Sequence, residues 1–136
     1  MTLTQKSTIL FPAGLPGFEA CRRFVLMYSE ELDPGVCLKS LDERGPSFFL
    51  IDPRRVAPEY ACQLSAADRA RLGAVTDNGC VWLVMVSWAG GEARVNLRAP
   101  VVINPAAMRG IQVVPSESTG PADVALMPAL EAACSS

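Results

Sequence analysis

The sequence predicts a mostly β fold: a small antiparallel β-barrel-like single domain with one or two short helices. Short β-branched and aromatic runs are separated by clusters of Pro, Gly, Asn and Asp, the punctuation of strands joined by tight turns. From Arg94 to Arg98, Val95 and Leu97 alternate with Arg94, Asn96 and Arg98, a period of two that buries one strand face and displays the other. The clearest helix-start signal is Ser65-Ala66-Ala67-Asp68, a serine cap with an acidic residue three positions on.

Taken in order, Ser7 to Phe11 reads as a short strand running into Pro12-Ala13-Gly14-Leu15-Pro16-Gly17, a loop fixed by two prolines and two glycines. Phe18 is expected to pack beneath that loop. Arg23 to Tyr28 is a second strand with Phe24, Leu26 and Tyr28 on one side, followed by the turn Asp33-Pro34-Gly35. Val36 to Leu41 and Pro46 to Asp52 flank Asp42-Glu43-Arg44-Gly45, an antiparallel hairpin whose glycine suits a positive φ. Phe48 to Ile51 is apolar at consecutive positions, which marks a central strand covered on both faces. Asp52-Pro53 ends it, because the residue before proline stays extended and proline has no amide hydrogen to donate.

Pro58 to Leu64 alternates Tyr60, Cys62 and Leu64 with polar or small neighbours and reads as a strand, before the helix from Ser65 to about Gly73. Cys80 to Trp88 is a buried strand by composition, and Ala89-Gly90-Gly91-Glu92 turns it back into the Arg94 stretch. That hairpin, Val81 to Leu97, is the expected spine of the sheet. Pro100 bends the strand before Val101 to Ile103 resume it. Asn104-Pro105 opens a turn, Ala106 to Arg109 is short enough for a single helical turn, and Gly110 restarts an extended segment. The boundaries that result are a β domain over 1–114 and a loosely attached tail over 115–136, in which Ala122 to Ala133 shows weak helical periodicity.

At 136 residues the chain fits one domain and is large enough to bury a core without metals or disulfides. Its longest unbroken apolar run, Cys80 to Val86, is far short of the roughly 20 residues of a membrane helix. The apolar Ile9-Leu10-Phe11 breaks at Pro12, too early for a signal peptide, so a cytoplasmic protein without membrane contact is expected. With 12 basic and 14 acidic residues and no cationic run, it lacks the footprint of a direct nucleic-acid binder. The five cysteines are odd in number and include no C-x-x-C pair, which fits core thiols better than disulfides or zinc.

The chain contains no histidine, which removes His-dependent hydrolytic triads and H-E-x-x-H metal sites. Asp33, Asp52 and Glu59 are candidate paired carboxylates, but each lies beside a proline in a turn, where Asp ordinarily caps its own backbone. Cys37 and Cys62 fall on apolar strand positions without a neighbouring base, where cysteine behaves as a small hydrophobe. No phosphate loop, dinucleotide fingerprint or metal motif is present. A binding module is left by elimination. The rivals are a barrel holding a small ligand such as a flavin and a carboxylate enzyme in which two of Asp33, Asp52 and Glu59 converge.

Several segments together carry a resemblance. They are Phe11-Pro12-Ala13-Gly14-Leu15-Pro16-Gly17-Phe18-Glu19, Arg23 to Leu26, Phe48 to Pro53, Pro58-Glu59-Tyr60, Asn96-Leu97-Arg98-Ala99-Pro100-Val101-Val102-Ile103-Asn104 and Gly110 to Val114. In order and spacing the chain closely resembles the flagellar assembly factor FliW family from about Ile9 to Val114. The resemblance implies a mostly antiparallel, barrel-like β fold and no enzymatic activity; with no cofactor or metal motif in the sequence, neither a cofactor nor a metal is expected. It implies two protein partners, flagellin and the RNA-binding translational regulator CsrA, with flagellin withdrawing the protein from CsrA. An acidic protein suits a basic RNA-binding partner, because opposite potentials speed encounter. The candidate partner-binding residues are Asp52, Pro53, Tyr60, Asn96, Arg98, Pro100 and Asn104, on a protein expected to be monomeric when unbound. The chain departs from the family pattern after Val114: the family's tyrosine-containing polar segment is replaced by Pro115 to Pro121, which has no aromatic residue.

Overall fold

Nine strands and one α-helix are present in the computed structural model, which describes residues 8–28, 30, 34–60, 63–73, 79–89, 91–113 and 123–125. In chain order they are β1 (Thr8–Leu10), β2 (Arg23–Met27), β3 (Gly35–Ser40), β4 (Ser47–Ile51), α1 (Ala66–Leu72), β5 (Val81–Ala89), β6 (Glu92–Asn96), β7 (Val101–Asn104), β8 (Arg109–Gln112) and β9 (Asp123–Ala125), with a 3-10 turn at Pro53–Arg55. β1 to β4 form an antiparallel meander in which Ile9 faces Phe24, Leu26 faces Leu38 and Leu38 faces Phe48. β4 passes the sheet to β5, β5 to β7 and β7 to β8, and a parallel bridge from Arg109 to Leu10 returns to β1. The circuit is a closed seven-strand barrel, with β6 and β9 extending from it beside β5.

The period-two patterning explains what fills this barrel. Ile9, Phe24, Leu26, Leu38, Leu50, Leu83, Val101 and Ile103 form one buried cluster with Phe11 and Leu15. Phe11 and Phe24 meet edge to face at 5.2 Å, the arrangement aromatic quadrupoles favour. The alternate positions point outward and are covered in two sectors by the chain itself. Val56, Ala57 and Tyr60 pack on Ile51, Val84, Val86, Ala93, Val95 and Leu97. Leu64 and Leu72 pack on Val102, Ile111 and Val113. Each such large apolar side chain contributes about 1.5 to 3 kcal/mol when fully buried.

α1 begins and ends where the sequence predicts. Ser65 Oγ accepts from the Asp68 amide at 3.1 Å, and Gly73 closes the helix in the left-handed region at φ 68°. A helix of seven residues is marginal in isolation, so Leu72, fully buried against the barrel, holds it in place.

The hairpins β3–β4 and β5–β6 form as predicted, and β4 is central, paired on both edges. Its consecutive apolar residues split between two cores: Phe48 and Leu50 join the barrel interior, while Phe49 and Ile51 join the outer cluster under Tyr60. The bend at Pro100 is a full break. β6 stops at Asn96, residues 97–99 turn, and β7 starts at Val101, so Val86 faces Val95 whereas Leu83 faces Val101.

Several expectations are corrected. Phe18 is 42% exposed, resting against Phe48 at 5.7 Å, and Phe11 and Leu15 supply the buried anchors instead. Pro58 to Tyr60 is a turn, not a strand, because Tyr60 reaches back over β6 instead of pairing along an edge. Gly45 does not take a positive φ; it leaves room for Ser40, whose hydroxyl would collide with a side chain there and which accepts from the Asp42 amide at 3.0 Å. Residues 105–108 form a turn with Met108 at φ 53° in place of a helical turn. Part of the segment read as weakly helical is β9, where Val124 faces Val95 in register. Asp33, Cys62, Cys134 and Pro115 to Pro121 lie outside the described residues.

Candidate partner-binding surface

Tyr60, Asn96, Arg98 and Pro100 lie at the break between β6 and β7, Asp52 and Pro53 lie where β4 runs into the 3-10 turn, and Asn104 lies at the far end of β7. Asp52 caps the 3-10 turn: its Oδ1 accepts from the Arg54 amide at 2.9 Å and lies 3.5 Å from Arg54 Nε. The turn carries the chain across the outer sheet face to Tyr60, whose hydroxyl donates to the Leu97 carbonyl at 2.8 Å. Asn96 and Arg98 alternate with buried Val95 and Leu97 and are exposed, and the Arg98 amide donates to Asn96 Oδ1 at 3.1 Å. The sequence thus separates scaffold from display at these four positions. The Tyr60–Leu97 bond ties the segment carrying Asp52, Arg54 and Glu59 to the strand end carrying Asn96 and Arg98, and these polar positions of mixed sign, the ridge, stand beside the apolar outer cluster.

Pro53, Pro100 and Asn104 are buried and have little surface to offer a partner. Pro53 is the buried first residue of the 3-10 turn, and the Pro100 carbonyl accepts from the Val113 amide at 2.8 Å. Asn104 Nδ2 donates to the Leu72 carbonyl at 2.9 Å, while its Oδ1 accepts from the Ala106 amide at 3.2 Å. That side chain joins the end of α1 to the end of β7. Next to a Pro, an Asn reads as a turn opener; only the fold reveals the helix end that its other side chain atom meets.

The Phe11 to Glu19 loop is likewise conformational. Gly14 sits at φ 67°, where a Cβ would lie 2.6 Å from the Glu19 backbone, and Gly17 sits at φ 87°. Glu19 Oε2 accepts from the Gly17 amide at 3.1 Å. Hydrogen bonds from its own amide and from Gly17 hold the Glu19 carboxyl below the ordinary glutamate range. An open cleft of about 470 Å³ lies outside the barrel between this loop, Arg71 of α1 and Gln112 of β8. The interior, where a ligand-binding barrel would hold a flavin, is occupied by Phe11, Phe24, Leu38 and Leu50. Asp52 is engaged as a cap, and Glu59 is exposed on a turn. Among the described residues no three His, Cys, Asp or Glu side chains gather to hold a metal, and no helix is long and apolar enough to cross a membrane. Cys21, Cys37 and Cys80 are half-buried thiols; a hydrogen bond with Asp42, then burial, pushes the Cys21 thiol up.

The FliW protein family model matches residues 1–125. The chain belongs to the FliW family. The flagellar assembly factor FliW of Azoarcus sp. (strain BH72) is 38% identical over 120 residues, covering 82% of this chain and 82% of that protein. The flagellar assembly factor FliW of Syntrophotalea carbinolica is 37% identical over 114 residues, covering 83% of this chain and 81% of its own length. A crystal structure of the flagellar assembly factor FliW superposes with a TM-score of 0.82 at 28% identity, covering 91% of this chain and 88% of that one. The fold is therefore shared with that structure, and the protein is a flagellar assembly factor by family.

Proposed function

We propose that this FliW-family protein works in the cytoplasm without catalysis, binding the translational regulator CsrA and relieving its repression of RNA. Flagellin is the second partner: while flagellin accumulates it occupies the protein, and once flagellin is exported the protein turns to CsrA. Family membership along residues 1–125 carries this reading. The fold is compatible with it, since the barrel interior is packed with side chains and the exposed Asn96 and Arg98, beside the half-buried Asp52 and Tyr60, offer hydrogen-bonding groups to a protein surface. The formal charge of −2 favours encounter with a basic RNA-binding protein. Gel-shift titration tests the reading: adding the protein to a CsrA–RNA complex is expected to release the RNA at low and moderate salt. An unchanged complex at saturating protein would overturn the antagonist role.

A further inference from the structure

The third outer sector of the barrel, over β1 to β4 and the end of β5, is not covered by any described segment, and its composition is distinctive. The five strands β1 to β5 contain two charged residues, Arg23 and Lys39, and no carboxylate. Both cations are exposed, and neither is held in an ion pair among the described residues. Register places them on one face: Leu10 faces Arg23, and Thr8, Val25, Lys39 and Ser47 stand in one row across four strands. The adjacent row runs Met27, Cys37 and Phe49 and then passes into the covered sector at Val86 and Val95. Trp88, two residues beyond Val86 and opposite Ala93, continues this outer face and is 72% exposed. Leu10 and Met27 add exposures of 39% and 41%.

We infer that this face, with Trp88 as anchor and Arg23 and Lys39 beside it, docks an acidic amphipathic segment of a protein partner. Trp and Arg are the side chains that most often dominate interface energies, and exposed apolar surface rimmed by one sign of charge selects an apolar stripe flanked by the opposite sign. Of the two partners in the functional reading, on which this inference rests, the face fits flagellin. An RNA-binding regulator is itself cationic where it meets phosphate, and like charges would repel. The bound flagellin segment is thereby specified as carrying Asp or Glu beside apolar residues.

Calorimetry with purified flagellin tests the assignment on the full chain, on Trp88→Ala and on Arg23→Glu/Lys39→Glu. All three positions are exposed, so thermal midpoints are expected to stay put while flagellin affinity falls by about tenfold or more in each variant. Release of RNA from CsrA is expected to survive. Variants that bind flagellin like the parent protein would overturn the assignment. So would variants that lose both partners alike, or a face that binds anionic vesicles through these residues while flagellin binding is untouched. A parent protein that fails to bind flagellin would instead sink the functional reading and this assignment with it.

Discussion

The Tyr60 hydroxyl donates to the Leu97 carbonyl at 2.8 Å, joining a turn to a strand end 37 residues away. The bond latches the 52–60 segment over the outer cluster of Val84, Val86 and Val95. Tyr60→Phe keeps the ring and removes the hydroxyl, leaving a part-buried carbonyl short of one partner. Such a loss costs about 1 to 3 kcal/mol, and chemical denaturation should show a lower midpoint with an unchanged slope.

Asn104 makes the corresponding connection on the opposite flank, from β7 to the last turn of α1. Asn104→Ala strands the Leu72 carbonyl and the Ala106 amide, for about 1 to 3 kcal/mol. Because α1 is too short to persist alone, hydrogen exchange should quicken in residues 66–72 more than in β3 and β4. Equal acceleration everywhere would mean that Asn104 does not locally secure the helix.

Much of this was readable in the sequence because the signals were local. The Ser65 cap and Gly73 stop bound α1, and the alternation Val95, Asn96, Leu97, Arg98 assigned inside and outside correctly. The same rule fails at Pro58 to Tyr60, since alternation around Tyr60 also arises when one aromatic folds back onto a sheet. Size favours burial in general, but Phe18 stays exposed because Phe11 and Leu15 fill the interior beneath the loop. Pro100 and Asn104 meet partners elsewhere along the chain, Val113 and Leu72, which no local pattern encodes. The register that aligns Arg23, Lys39 and Trp88 on one face is of the same kind.

The Phe11 to Glu19 loop makes two predictions that share a cause. Gly14→Ala forces a side chain into a positive φ and against the Glu19 backbone; a misfit of this class costs about 1 kcal/mol or more, visible as a lowered thermal midpoint. Glu19, with its carboxyl held below the ordinary range by two amides, favours folding when ionised. A depressed folded-state pKa means this contribution is complete above the unfolded-state pKa and disappears as pH falls through the folded-state value. The Glu19 carboxyl resonance should therefore titrate below an unstructured peptide control, and Glu19→Gln should flatten the acid limb of stability against pH. A control-like titration would contradict the assigned hydrogen bonds.

Flagellin and CsrA should bind in competition. The proposed flagellin face abuts the ridge, since Val86 and Val95 run from beside Trp88 to beneath Val56 and Ala57. Linkage requires that if flagellin weakens CsrA binding by some factor, CsrA weakens flagellin binding by the same factor. Titrating each partner in the presence and absence of the other measures both factors. A ternary complex with unaltered affinities would rule out partner switching.

Residues 95–98 separate buried scaffold from exposed surface within four positions. Leu97 is buried in the outer cluster, so Leu97→Ala should cost about 2 to 5 kcal/mol through lost burial and the cavity left behind. Any drop in partner binding by that variant should then follow the loss of fold. Asn96 and Arg98 are exposed, and Asn96→Ala with Arg98→Ala should leave the melting midpoint within a degree or two, as surface substitutions usually change stability by less than about 0.5 kcal/mol. If the ridge contacts CsrA, this stable double variant should lose CsrA antagonism while still binding flagellin through the Trp88 face. Circular dichroism melts paired with CsrA gel shifts and flagellin calorimetry distinguish the cases: normal binding of CsrA by the double variant would remove the ridge from the interface and leave the cleft between Glu19, Arg71 and Gln112 as the next surface to mutate.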